Sequence, residues 1–150
     1  MNLTYEVREG LVKHDTDYDT VDAAGYEPDK AGTLECQIAN LADEIAYNTS
    51  DLDDGLRSGI LEPEEVSKLE IWRAVTASLG ADPNARIDAR TRRRVIRRLI
   101  GLEITDAITT TADNLAAIGA RSPADIRSAG RNVAAFSPEM FALNRELKDY

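Results

Sequence analysis

Several residue types are nearly absent from this 150-residue chain, and each shortage excludes something. One cysteine, Cys36, leaves no partner for an internal disulfide and fits a reducing cytoplasm. One histidine, His14, cannot build a site that requires two. Aromatic residues make up 5% of the chain, and valine and isoleucine do not gather in alternating runs, so no segment predicts a sheet. No apolar run approaches the roughly 20 residues of a membrane span, and the first residues lack the basic and apolar parts of a signal peptide. Basic residues are outnumbered, 18 against 27 acidic, giving a net charge of −9. That balance opposes a general nucleic-acid binder, which presents a basic surface. No internal repeat or low-complexity tract is present. The length suits one domain with its own core, so the reading is a single, acidic, all-α cytoplasmic domain over residues 1–150.

Helical spacing recurs throughout. In "NLTYEVREGLVKH" Leu3, Val7 and Leu11 recur every four residues, the repeat of one helix face. Residues 14–32 read as a long polar, mobile loop carrying Asp15, Asp17, Asp19, Asp22 and Asp29. Thr33 is a predicted N-cap for a helix whose inward stripe is Leu34, Ile38, Leu41, Ile45, Leu52 and Leu56, ended by Ser58-Gly59. Pro63 suits the first turn of the next helix, with Leu69, Trp72, Val75 and Leu79 inward. A long helix follows from about Asp88 to Ala117, with Val95, Ile96, Leu99 and Ile100 inward. Ser122-Pro123 and Ser137-Pro138 each announce a further helix, the last still in helical register at Tyr150.

The helix that starts after Thr33 carries an unusual outer face. Asp43, Tyr47, Asp51 and Asp54 lie within roughly 80° of one another, opposite the apolar stripe. A plain solvated face is one reading. Such a face normally interleaves Lys or Arg at i+4, and none occurs here; the nearest, Arg57, is three residues beyond Asp54. It also rarely centres a tyrosine, whose ring favours partial burial. The second charged feature is "ARIDARTRRRVIRR", with Arg86, Arg90, Arg92, Arg93, Arg94, Arg97 and Arg98. It reads either as a solvated face pairing with the excess acids or as a phosphate-contacting surface, for which the guanidinium fork is suited.

Four segments in order, "NLTYEVREGLVKH", "LECQIANLADEIAYNTSDLDDGLRSG", "RRLIGLEITDAI" and "FSPEMFALNRELKDY", resemble the deoxynucleoside triphosphate triphosphohydrolases, the dGTPase-like branch of the HD superfamily. The resemblance extends over essentially the whole chain. It implies an HD-domain-like helical bundle, here partial, from enzymes that cut a dNTP at the α-phosphate into deoxynucleoside and triphosphate. It implies a divalent metal, Mg²⁺ or Mn²⁺, held by a His, an adjacent His-Asp pair and a distant Asp. Asp43 matches that last ligand. Tyr47 matches a phosphate or sugar contact, Asp51 the acceptor for the sugar 3′-hydroxyl, and Arg94 is the arginine assigned to phosphate. A carboxylate that faces a cation needs no neighbouring Lys or Arg, because the cation balances it. Ser50 departs from the histidine common before the Asp of this motif, which removes any contact expected from that position.

The second histidine of the tetrad is missing, and His14-Asp15 follows the position of the true dyad, so no complete catalytic set is expected. The expected protein is the C-terminal portion of a triphosphohydrolase, inactive alone and without tight metal binding. It would associate with itself or with the missing N-terminal half, away from membranes, with nucleic acid a minor prospect. The alternatives are a non-enzymatic helical oligomerisation module and a regulator binding nucleotides or nucleic acid through the arginine helix.

Overall fold

The structure, a computed structural model, describes residues 2–14 and 25–150. Among these residues it is all-α, with seven helices and no strand: α1 Tyr5–Val12, α2 Leu34–Ser58, α3 Pro63–Val66, α4 Glu70–Ser78, α5 Ala89–Ala117, α6 Pro123–Arg127 and α7 Pro138–Lys148. Asp15, Asp17, Asp19 and Asp22, and with them most of the long loop read from the sequence, lie outside the described residues.

Local chemistry sets the helix ends. Thr4 Oγ1 accepts from Val7 N, Thr33 Oγ1 from Cys36 N and Ser137 Oγ from Met140 N. Ser122 and Asp125 cap each other reciprocally. Each cap satisfies amides that the first helical turn leaves without partners. α2 ends at Ser58, and Gly59 follows in the left-handed region at φ 75°. Gly55 has a different purpose: a Cβ there would lie 2.6 Å from Leu61 Cδ1. The absent side chain lets Leu61 fold back onto the helix.

The chain divides into two compact units, residues 1–43 with 107–135, and residues 44–106 with 136–150. α2 and α5 contribute residues to both. The second unit has an apolar core of Leu52, Val66, Leu69, Ile71, Trp72, Val75, Val95, Leu99 and Leu147. Burying each large apolar side chain contributes about 1.5–3 kcal/mol relative to exposure. The indole of Trp72 still finds an acceptor, donating to Pro83 O at 3.1 Å.

The first unit is held more by polar clamps. Gln37, 3% exposed, accepts from the amides of Val133 and Ala134 at 2.7 and 3.1 Å and donates to Gly32 O at 2.9 Å. Glu9, fully buried, accepts at one oxygen from Lys13 Nζ at 2.9 Å and from Arg127 at 2.7 Å. Lys13 also donates to the carbonyls of Glu27 and Lys30, which ties residues 27–30 to α1.

Two expectations need correction, on α2 and after Pro63, and α1 adds a finding that its spacing left open. The Val7 and Leu11 face of α1 is exposed, at 48% and 63%, and the residue that α1 buries is Glu9. Ile38 is exposed as well, and the inward face of α2 is completed by Gln37, Asn48 and Thr49. The helix expected from Pro63 is two helices. Leu69 stands at the start of α4 without a capping side chain, and Glu146 of α7 supplies the missing acceptor to Glu70 N at 3.0 Å.

Candidate functional site

α2 presents its acids outward as the spacing predicts. Asp43, Tyr47, Asp51 and Asp54 are all exposed, Tyr47 by 55% despite its ring. Their inward counterparts Ile45, Asn48, Thr49 and Leu52 are buried, so the outward direction follows from which side of the helix is apolar or hydrogen-bonded within the fold.

The acids are less isolated than the sequence suggests. Arg57 reaches back one turn to Asp54 at 3.0 Å. Asp53, which was not singled out, holds Arg92 at 2.7 Å. Asp43 has His14 Nε2 at 3.7 Å from its Oδ2. His14 Nδ1 lies 2.6 Å from Asn40 Oδ1, and Nε2 is the ring nitrogen turned to Asp43. The imidazole thereby anchors the end of α1 to α2. Asp51 has no cation within 4 Å among the described residues.

Asp43 and His14 Nε2 offer two donors to a cation. Among the described residues no group of three His, Cys, Asp or Glu side chains is arranged to hold a metal ion. Protein sites for such ions draw on about three or more ligands, so the described residues do not by themselves fit a resident divalent metal.

Arg94 is on the second unit's part of α5. It lines a shallow cleft of about 300 Å³ with Arg97, Arg98, Leu79 and Gly101. Arg92, by contrast, is withdrawn into its ion pair with Asp53.

A buried polar chain in the same unit escaped the sequence reading. Asn48 of α2 donates to Asn144 Oδ1 of α7 at 3.1 Å, and Asn144 Nδ2 donates to Glu103 Oε1 of α5 at 2.9 Å. Glu103 is fully buried and its Oε2 has no partner. Burial pushes its carboxyl up to about 7; the nearby negative charge of Glu44 adds to the rise, and the Asn144 hydrogen bond opposes it. The signal was available: Glu103 follows Leu99 by one helical repeat, and Asn48 sits between Ile45 and Leu52 on their face.

These features define a class: an all-α protein that spends one face of a long helix on outward carboxylates and one segment of another on arginines. Over its whole length the chain is similar to proteins named dGTPase-like triphosphohydrolases. It is 41% identical over 157 residues to a deoxyguanosinetriphosphate triphosphohydrolase-like protein of Geobacter sulfurreducens, a match covering all of this chain and 40% of that protein. Similar proteins of the same name are found in Thiobacillus denitrificans, at 38% identity over 154 residues, and Mesorhizobium japonicum, at 33% over 167, each matched over all of this chain and 41% of its own length. The chain thus spans about two fifths of the curated relatives it matches. No protein-family model matches it. Among the described residues no helix is long and apolar enough to cross a membrane.

Proposed function

We propose that this chain supplies the carboxylate-bearing wall of a dNTP triphosphohydrolase site and does not hydrolyse dNTPs by itself. The observation that supports the reading is the match, over all of this chain and 40% of the relative, to proteins named deoxyguanosinetriphosphate triphosphohydrolase-like, combined with the outward face of α2. In this reading Asp43 is one ligand of a divalent metal completed by residues that this chain does not contain. Asp43 would hold such a metal only together with those other ligands, and the metal would then offer Lewis-acid chemistry to a phosphate group. Tyr47 sits one helical repeat further along α2 to contact sugar or phosphate. Asp51, with no cation of its own, accepts the sugar 3′-hydroxyl.

The proposed inactivity has a chemical basis. The family tetrad requires two histidines, the chain has one, and Nδ1 of that one is engaged by Asn40. The test is to incubate the purified chain with dGTP and Mg²⁺ or Mn²⁺ and assay released triphosphate. No release above buffer is expected. Release that co-purifies with the chain and disappears in Asp43→Ala would refute the reading.

A further inference from the structure

The outward side of α5 changes character halfway along the helix. Up to residue 98 its exposed side chains are Ala89 and the arginines at 90, 93, 94, 97 and 98. Beyond Gly101 they are Ile104, Thr105, Ile108, Thr109, three alanines and a single charge, Asp113. Ile104 and Ile108, one helical repeat apart, are 44% and 65% exposed. Isoleucines at that spacing are the pattern of a helix face that packs against something.

The charges of α5 stand at the wrong end for a helix on its own. Cations stabilise a helix C-terminus, yet the arginines crowd the N-terminal half and the last turn contains no base. A second copy of α5 laid antiparallel, with Ile104 of one level with Ile108 of the other, supplies the missing cations. Arg97, seven residues before Ile104, comes level with Leu115 of the second copy, seven after Ile108, in the last turn of that helix. Arg94 comes level with Ile118, just past its end. The arginines of the two copies do not meet. Arg94 of one lies about 36 Å along the pair from Arg94 of the other, several Debye lengths at physiological salt. A parallel pair would set each arginine beside its own equivalent.

The side chains match as well. Gly101, Thr105, Ile108 and Ala112 lie within roughly 60° of one another, with Ile104 on one flank and Arg98 and Asp113 on the other. In a two-fold pair each flank meets its own equivalent, so Arg98 comes within one residue of the level of Asp113 of the second copy, with opposite charge. Gly101 comes beside Ala112, where its missing side chain lets the two backbones approach. Within the chain itself no neighbouring group lies within 4 Å of a Cβ built at Gly101.

From this complementarity we infer that the chain forms a dimer through α5, the two helices antiparallel about a two-fold axis level with Asp106. From Arg94 to Ala116 the face is about 33 Å long and, for a helix about 10 Å across, covers on the order of 330 Å² per copy. A standard stable interface buries about 800 Å² per partner, so this dimer is weak and reversible, dissociating in the micromolar range. It requires neither metal nor nucleotide, and its failure would leave the proposed function standing.

The test is sedimentation equilibrium of the 150-residue chain from low micromolar to several hundred micromolar. A monomer–dimer equilibrium is expected. Ile108→Lys should leave only monomer, with helical circular dichroism unchanged, while Ile60→Lys, at a position 78% exposed, should leave the equilibrium as it is. Arg98→Asp and Asp113→Arg should each raise the dissociation constant about tenfold, because a two-fold interface holds the pair twice, and combining them should restore it. Cysteines read the register. Thr105→Cys, about 3 Å along the axis from its equivalent, should form an intermolecular disulfide on mild oxidation, and Ala112→Cys, about 18 Å from its equivalent, should not. The wild type, which has Cys36, sets the baseline. A monomer at every concentration overturns the inference, as does a dimer indifferent to Ile108→Lys. So do a double charge reversal no better than the single ones and an Ala112→Cys disulfide as ready as that of Thr105→Cys.

Discussion

Glu103→Gln is the substitution whose effect follows most fully from the structure. The wild-type carboxyl is fully buried, keeps one hydrogen bond from Asn144 and leaves Oε2 without a partner. Ionising it in the folded chain places a charge in a buried site with no ion-pair partner among the described residues, and burial accordingly raises its pKa from 4.5 to about 7. The folded state therefore holds this proton more tightly than the unfolded state. Its contribution to stability is complete below about pH 4.5 and is lost as the pH rises to about 7, above which the slope ends. The shift corresponds to about 3 kcal/mol. Glutamine keeps an oxygen to accept from Asn144 and cannot ionise. Between pH 4 and pH 8 the variant should gain about 3 kcal/mol relative to wild type, whatever its offset at low pH from an amide lacking an acceptor. Urea melts of both proteins across this range, compared as a difference at each pH, cancel the titration of every other group. Parallel stability curves would refute the reasoning and show that Glu103 is ionised in the fold with a partner for Oε2.

Two further outcomes are expected. Arg127→Ala removes one of the two cations on buried Glu9 and also releases Glu27, which it holds at 2.9 Å, so the chain should lose about 2 kcal/mol or more in urea melts, with Arg127→Lys recovering part of the loss. The chain should self-associate at micromolar concentration, because Val7, Leu11, Ile60, Ile108 and Phe141 are all exposed by 48% or more; light scattering that reports a monomer throughout would count against it.

What the sequence disclosed was mostly local. Thr33, Ser122 and Ser137 announced their helices because a cap and the amide it serves are three residues apart. The outward acids of α2 and the inward Val95 and Leu99 of α5 followed from a period that each helix carries by itself. What stayed hidden depends on which element covers a face. A four-residue repeat placed Leu3, Val7 and Leu11 together but could not say that Glu9, met by Arg127 from 118 positions away, would be the residue buried. Ile38 belonged to the right period and lay beyond the reach of the packing. The Asn48–Asn144–Glu103 chain sat at apolar positions in three separate helices, and only their packing shows that each polar group meets the next. At the candidate site, Asp43, Tyr47, Asp51 and Arg94 were readable as exposed side chains. The approach of His14 to Asp43, 29 residues away, and the cleft that joins Arg94 to Leu79 were not.

The central claim is that the outward acids of α2 serve something outside this fold. If so, they gain little from their present surroundings. The Asp43 side chain is 65% exposed, with His14 Nε2 3.7 Å away, and Asp51 has no ion-pair partner among the described residues. Like charges one turn apart on an exposed helix cost about 0.2–0.5 kcal/mol each. Urea melts of Asp43→Asn and Asp51→Asn measure the claim directly. Stability unchanged or raised by less than about 1 kcal/mol is the predicted result. A loss of about 2 kcal/mol or more in either variant would show that the carboxylate holds the fold together, and would contradict the account.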